Sequence, residues 1–404
     1  MGRELPHNRI VQSTYIVTLV TQVLMAATNA GLAFILARHF GGLVFNEYIA
    51  ITSIVLAFSQ AAKGFQATTA IEFALGTHEP NRVFHRGDGL TLLFGTSLFI
   101  LWFLASPLIL SVLQTSPIST VSAGLLLPAA TLGYRAAGKY QGTLQFSKWQ
   151  IATCLTSMLQ IPIIAVVLTL RTPLSVFILA LAIPSTALFL WATFDTRNVT
   201  IRPITHQQRH TFSSSVMAVS CALGLQIPLF FLKQNYAGSI TGTLTAISLL
   251  LIMLVGLTAT YGSFLLPHFL SSAKDSKSVG LKSHLIVSIP SMLLVLIIPL
   301  TAHWVIPLLF GPSYTDPIPT ITLIGVCISY NVWALVGSLV QERLASVTLY
   351  RSLTFAGVTL LQVIVIWRIS MPIRVYYLAH LIFGLMNLTL VLQIKSDQRD
   401  IRHL

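Results

Sequence analysis

Apolar runs of about 20 residues, the length that a helix needs to cross a bilayer, recur throughout the 404-residue chain. Only 9% of the residues are charged, against roughly a quarter in soluble domains. The chain therefore has too few charged residues to cover a surface that faces water. The sequence predicts an all-α polytopic membrane protein with about twelve transmembrane helices. The predicted spans are 13–37, 48–75, 89–113, 118–141, 149–170, 173–194, 211–234, 241–270, 283–309, 317–341, 346–368 and 373–394.

The basic residues predict the orientation of these spans. With both termini in the cytoplasm, eighteen of the 24 Lys and Arg residues face the cytoplasm, five face outward and Lys63 lies within a span. Cytoplasmic loops of membrane proteins carry an excess of Lys and Arg, so we expect both termini to be cytoplasmic. This topology accounts for the net charge of +13, and no nucleic-acid partner is expected.

A short internal repeat suggests two similar halves. "PLILSVLQTSPIST" at 107–120 and "PLLFGPSYTDPIPT" at 307–320 are identical at six of fourteen positions. The first joins spans three and four and the second joins spans nine and ten, which predicts a parallel tandem repeat of six-helix bundles around a central cavity. The expected units are 1–195, a cytoplasmic linker at 196–210, and 211–404. Chance similarity between proline-containing helix ends is the alternative.

Polar side chains within the spans are the candidate functional residues, because ionisable groups at membrane depth are costly and usually face a cavity. Lys63 lies three residues from both Gln60 and Gln66 on one helix face. This stripe faces either a cavity or a hydrogen-bonding neighbour helix. Arg135 and Lys139, four residues apart, repel one another, so they are either solvated at the inner interface or paired with an anion.

Two further residues are candidates for coupling to an ion. Glu72 lies near the inner end of span two, where an ion pair with a basic residue is the alternative to a coupling role. His380 shares a face of span twelve with Asn387, and a hydrogen-bonded packing role is the alternative to a proton relay. Asn331 lies deep within span ten.

Motifs for catalysis are missing from the sequence. It contains no nucleotide-binding P-loop and no H-E-x-x-H motif. The cysteines Cys154, Cys221 and Cys327 lie far apart in apolar segments, so no metal site, cofactor or catalytic residue is expected. The 307–320 stretch is expected to be a structural outer hairpin, with Tyr314 and Asp316 only at its rim.

Two segments carry a family resemblance. "LARHFGGLVFNEYIAITSIVLAFSQAAKGFQATTAIEFA" (36–74) resembles the first two helices of polysaccharide biosynthesis flippases of the Wzx type, with Asn46 where glycine is common. "VIPLLFGPSYTDPIPTITLIG" (305–325) resembles a Leu-Phe-Gly-x-x-Tyr segment of the same family. The resemblance implies the multidrug/oligosaccharidyl-lipid/polysaccharide exporter superfamily, whose two six-helix bundles surround a cavity of alternating access. It also implies a transporter rather than an enzyme.

The same resemblance implies a substrate and its binding residues. The family moves polyprenyl-pyrophosphate-linked oligosaccharide across the bacterial inner membrane, with membrane lipids and glycan-assembly proteins as partners. The implied substrate-binding residues are Lys63, Gln60, Gln66, Arg38, Lys233, Arg135, Lys139 and Asn331, and the coupling candidates are Glu72 and His380. A drug or metabolite exporter of the same fold is the first alternative. A membrane glycan polymerase or ligase is the second, although it needs a larger outer loop. The lipid II flippase branch usually has two more helices and more arginines.

Overall fold

A computed structural model gives the fold of the chain. It describes residues 7–74, 86–113, 115–143, 145–170, 172–196, 208–235, 240–253, 281–312, 314, 318–344, 347–368 and 372–394. All elements in these ranges are helical. The helices are α1 His7–Ser59, α2 Lys63–Ala74, α3 Arg86–Leu113, α4 Pro117–Gly124, α5 Leu126–Gly142, α6 Phe146–Met158, α7 Gln160–Thr169, α8 Leu174–Ala180, α9 Ala182–Asp195, α10 Gln208–Asn235, α11 Ile240–Met253, α12 Leu281–Phe310, α13 Thr320–Arg343, α14 Leu349–Arg368 and α15 Ile373–Leu392.

The predicted all-α membrane architecture is confirmed. Each of the predicted spans contains a described helix, although span eight is described only as far as Met253. Within the described ranges, nine helical stretches are long and apolar enough to cross a membrane, and two shorter apolar stretches accompany them. The predicted fourth span corresponds to α4 and α5, of 8 and 17 residues, and is not among these nine stretches.

Prolines explain why three spans are each divided into two helices. A proline cannot donate to the carbonyl four residues before it, and its ring clashes there. α4 ends at Gly124, four residues before Pro128, and α6 ends at Met158, four residues before Pro162. α8 likewise ends at Ala180, four residues before Pro184. These spans therefore bend where a helical hydrogen bond is missing.

One glycine forms a kink between the first two spans. α1 contains all of span one and the start of span two, with a kink at Gly41, where φ is 74° and ψ is 173°. A positive φ is tolerated best by glycine, so the helix kinks here without steric strain. Span two then passes through a 3₁₀ turn, Gln60–Ala62, into α2.

Close packing between α2 and α5 builds the first bundle. Gly138 and Gly142 are spaced as in a G-x-x-x-G interface, which lets two membrane helices approach closely. A Cβ atom at Gly138 would lie 2.6 Å from the carbonyl oxygen of Gln66, and one at Gly142 would meet the carbonyl of Ala70. α5 also packs on α3 and α9.

The two bundles share a hydrophobic core. It contains Leu32 and Phe45 from the first bundle and Ile227 and Phe310 from the second. α10 packs against α1 and α2, and the Ser215 hydroxyl donates to the Ala61 carbonyl across this interface at 2.6 Å. The unit boundaries at 195 and 211 stay a prediction, since residues 197–207 lie outside the described ranges.

Candidate functional site

A cavity of about 380 Å³ lies between the two bundles. α1, α5 and α7 to α9 line it from one side, and α10 and α11 line it from the other. Most of the lining is aliphatic, and none of the described lining side chains is charged. Its polar side chains include Asn29, Thr52, Ser53, Ser59, Gln160, Ser185 and Gln226. This lining suits an uncharged group with apolar surface and hydroxyls better than an isolated ion.

Lys63 lies one helical turn beyond the cavity residue Ser59, at the middle of span two. Its side chain is half-buried and is within electrostatic range of the Cys221 thiol on α10, so it faces the boundary between the bundles. It forms no ion pair or hydrogen bond with any other residue in the described ranges. At this depth, a cation without a counter-ion among the described residues is available to an anionic ligand.

The two glutamines beside Lys63 bond within the first bundle. The Gln60 amide donates to the Tyr134 hydroxyl, and the Gln66 amide donates to the Gln141 side chain at 3.0 Å. Both glutamines are buried against α5. The structure thus separates the expected polar stripe, because Gln60 and Gln66 contact α5 while Lys63 faces α10. Their role in substrate binding stays a prediction.

Arg135 and Lys139 meet a buried anion, as one of the two sequence interpretations requires. Arg135 Nε lies 2.9 Å from Asp88 Oδ1, and Lys139 Nζ lies 3.1 Å from Asp88 Oδ2. All three side chains are at most 3% exposed. Arg135 also donates to Thr69, and Lys139 lies 3.0 Å from the Thr193 hydroxyl. We call Asp88, Arg135 and Lys139 the charge triad.

The charge triad joins four spans of the first bundle. Asp88 is on α3, the two cations are on α5, Thr69 is on α2 and Thr193 is on α9. Lys139 also lies 5.0 Å from the centroid of the Phe189 ring, a cation–π contact. The triad does not line the cavity. Sequence analysis missed Asp88 because it stands one residue before the predicted span 89–113, although the repelling pair signalled that an anion was needed.

Arg38 lies at the boundary of the bundles, at the end predicted to face outward. Its guanidinium donates to the carbonyl oxygens of Leu308 and Leu309 on α12. It is exposed and is not among the cavity residues. The other two predicted charges give no comparable information, because the side chains of Lys233 and Glu72 lie outside the described part of the chain.

His380 bonds to a carbonyl that a proline leaves without a helical donor. Pro228 cannot donate to Gly224 four residues earlier, and His380 Nε2 lies 3.1 Å from that carbonyl oxygen. Because a carbonyl only accepts, Nε2 carries a proton. Nδ1 lies 2.9 Å from the Ser329 hydroxyl, which also donates to the Val326 carbonyl oxygen at 3.0 Å. Both ring nitrogens have partners, which favours the packing interpretation over a relay.

Asn331 bonds within its own helix. Its amide lies 2.9 Å from the Cys327 carbonyl oxygen on α13, and its side chain is partly buried. It is not among the residues that line the cavity. The structure therefore does not bring Asn331 together with Lys63, and its predicted substrate contact stays untested.

The outer hairpin differs from the prediction at one residue. Tyr314 was expected at the rim, but it is 1% exposed and packs against Phe310 and Phe45. The expectation was wrong because the hairpin meets the other bundle, which a proline-rich sequence does not show. Burial raises the pKa of the Tyr314 hydroxyl to about 12. Asp316 lies outside the described residues.

The fold is similar to that of solved transporters at low sequence identity. The lipid II flippase MurJ in an inward closed conformation has a TM-score of 0.61 and 15% identity, covering 94% of this chain and 86% of that chain. The eukaryotic MATE transporter AtDTX14 has a TM-score of 0.59 and 13% identity, covering 96% and 97%. An inward-facing multidrug resistance MATE family transporter of the MOP superfamily has 0.55 and 14%, covering 96% and 99%.

At these identities, the similarity establishes the fold alone. No protein-family model matches the sequence, and no curated protein is significantly similar to it. The chain is thus a multi-pass membrane protein with the fold of MOP-superfamily transporters. Its substrate must be argued from its own residues.

Proposed function

We propose that the chain is an alternating-access flippase for a lipid with an anionic glycan headgroup, such as polyprenyl-pyrophosphate-linked oligosaccharide. The observation that carries this proposal is Lys63, a cation between the bundles that has no ion-pair partner among the described residues. A lysine ammonium binds phosphate as a point charge. The similarity in fold to the lipid II flippase MurJ supports a lipid-linked substrate.

The cavity and Lys63 can bind different parts of the proposed headgroup. The uncharged polar side chains of the cavity can bond sugar hydroxyls, while Lys63, one helical turn beyond the cavity residue Ser59, can hold the pyrophosphate. A volume of about 380 Å³ is near the small end of the ligand-pocket range, about 300–1,000 Å³. The headgroup would therefore pass only when the bundles move apart, with the lipid tail outside in the bilayer.

The charge triad argues against a cation exporter of the same fold. Binding a cationic drug requires an available carboxylate, and Asp88 is the buried acid in the described ranges. It already bonds two cations, so it has no excess negative charge to offer. We assign the triad to the stability of the first bundle.

The proposal also includes the cytoplasmic placement of both termini, the bacterial inner membrane and glycan-assembly partners. These parts rest on the charge distribution and the family resemblance.

The test is transport by Lys63 variants. Lys63→Ala should lower the initial rate of flipping of a fluorescent polyprenyl-pyrophosphate disaccharide in proteoliposomes by at least about tenfold, the effect of losing about 1.4 kcal/mol of binding. Lys63→Arg, which keeps the charge, should retain most of the rate. Lys148→Ala is the matched control, because Lys148 is exposed and lies 3.4 Å from Asp195.

The alternative predicts a different pattern. If Lys63→Ala leaves glycan export in cells unchanged while resistance to a cationic dye falls, the chain is a drug exporter. Protein amounts in the membrane must match between variants, since a folding defect would lower both activities together.

A further inference from the structure

One arginine links the outer ends of the two bundles. Arg38, the residue after span one, lies with Nε 3.1 Å from the Leu309 carbonyl oxygen, and it also donates to the Leu308 carbonyl. Both carbonyls are in the last turn of α12, which ends at Phe310. The last four carbonyls of a helix have no helical donor and carry partial negative charge. The guanidinium fork supplies two donors at that end.

Gly311, the residue after α12, leaves two carbonyls at this helix end available to Arg38. Gly311 has a φ of 111°, and its N–H donates to the Pro307 carbonyl at 2.9 Å. A left-handed glycine ends a helix and satisfies an earlier carbonyl, which leaves Leu308 and Leu309 for Arg38. A Cβ atom at Gly311 would lie 3.5 Å from Arg38 Cγ, so the arginine stem packs directly on this turn.

Four aromatic rings seal the same boundary. Phe310 lies 4.9 Å from Phe34 and 6.0 Å from Phe45, measured between ring centroids, and Tyr314 lies 5.7 Å from Phe310. Phe45, Phe310 and Tyr314 are at most 1% exposed. Tyr48 and Ile49, one turn further along span two than Phe45, line the cavity. We call Phe34, Phe45, Phe310 and Tyr314 the aromatic plug. None of them lines the cavity, but Phe45 lies about one helical turn from its lining, on the side predicted to face outward.

We propose that Arg38 is the latch of an outer gate, and that an anionic headgroup opens the gate by taking over the guanidinium from the α12 carbonyls. Phosphate oxygens bond a guanidinium in charge-assisted, bidentate geometry and are stronger acceptors than neutral carbonyls. Arg38 is exposed, so an anion can reach it. The exchange would free α12 from span one and let the aromatic plug separate. The role of the gate in transport rests on the proposed function, but the opening of the gate can be tested without a transport assay.

The experiment measures access to the cavity from outside. Ser53 lines the cavity and is 8% exposed, so Ser53→Cys reports opening through its reaction with a membrane-impermeant maleimide on intact cells. Arg38→Ala should raise the labelling rate at least about fivefold, and Phe310→Ala should do the same. Arg38→Lys should fall between, because lysine lacks the planar fork. The parent chain without the added cysteine gives the background, since Cys154, Cys221 and Cys327 are buried.

The matched control is Arg374→Ala. Arg374 is also an exposed arginine predicted to face outward, at the start of α15, and it has no bond to α12 in the described structure. Its removal should leave the labelling rate unchanged. The latch is overturned if Ser53→Cys with Arg38→Ala labels as slowly as Ser53→Cys alone. It is also overturned if Arg374→Ala raises the labelling rate of Ser53→Cys as much as Arg38→Ala does. A monodisperse elution profile shows that each variant is folded.

A second measurement tests the exchange with an anion. Inorganic pyrophosphate added outside at constant ionic strength should speed labelling of Ser53→Cys with Arg38 present and have no effect in Arg38→Ala. If pyrophosphate has no effect with Arg38 present, the exchange is refuted even if the latch stands. Failure of the flippase proposal has a different signature, since transport would survive Lys63→Ala while these labelling results held.

Discussion

The charge triad makes a quantitative prediction for Asp88→Asn. The substitution keeps the shape of the side chain and one accepting oxygen, but it removes the charge shared by Arg135 and Lys139. The triad then changes from a net charge of about +1 to about +2 at side chains that are at most 3% exposed. We expect the first bundle to be strongly destabilised.

The magnitude follows from the two contacts, at 2.9 and 3.1 Å. Each hydrogen bond to a charged group contributes about 1.5–3 kcal/mol, and asparagine retains part of one of them. The expected loss of about 3–5 kcal/mol in the free energy of unfolding equals the usual cost of breaking a buried pair. The measurement is SDS-induced unfolding of purified protein in mixed micelles.

Two variants complete the test. Asp195→Asn is the matched control, because its partner Lys148 is 60% exposed and such a pair contributes about 0–1 kcal/mol. The combined Asp88→Leu, Arg135→Met and Lys139→Leu variant should recover most of the stability, since apolar replacement of a buried ion cluster is often neutral. Equal stability of Asp88→Asn and the parent would refute the reasoning. A stable but inactive triple variant would instead show that the cations serve transport.

The remaining predictions concern the second bundle. Gly224→Ala should cost about 1–3 kcal/mol of unfolding free energy through overpacking, because a Cβ atom there meets the Trp333 ring. Gly357→Ala, with nothing within 4 Å, should gain up to about 1 kcal/mol, and equal effects of the two changes would contradict the packing. His380→Gln keeps a donor for the Gly224 carbonyl, so the pH profile of flipping in proteoliposomes should match the parent. A profile that flattens in this variant would identify His380 as a titrating relay.

The fold was predictable because a membrane requires a simple sequence signal. Each span needs a long apolar run, whereas the direction of the spans, inferred from the excess of Lys and Arg on one side, stays a prediction. Even the bends follow from local chemistry, as with α4, which ends four residues before Pro128. The rotation of each helix was not predictable, because packing against neighbours sets it. Gln60 and Lys63 therefore seemed to share a face, whereas they contact different bundles.

The candidate site was only partly predictable for the same reason. The spacing of Arg135 and Lys139 required an anion, but the sequence could not say whether Asp88 or a substrate provides it. Tyr314 looked peripheral because its segment is rich in proline and polar residues. Its burial depends on Phe45 of the other bundle, almost 270 residues away in the sequence. Contacts between residues so far apart in the chain leave no local pattern in the sequence.

The structure separates cations that stabilise the fold from one that costs stability. Arg135 and Lys139 have Asp88 as a counter-ion, so removing the acid should damage folding before it damages transport. Lys63 has no ion-pair partner within the described ranges, and burying an uncompensated charge is unfavourable. Lys63→Ala should therefore leave unfolding stability unchanged or higher while flipping falls. Residues selected for function often show this opposition between stability and activity. If Lys63→Ala destabilised the protein as much as Asp88→Asn, Lys63 would be a structural residue and the proposed headgroup contact would fail.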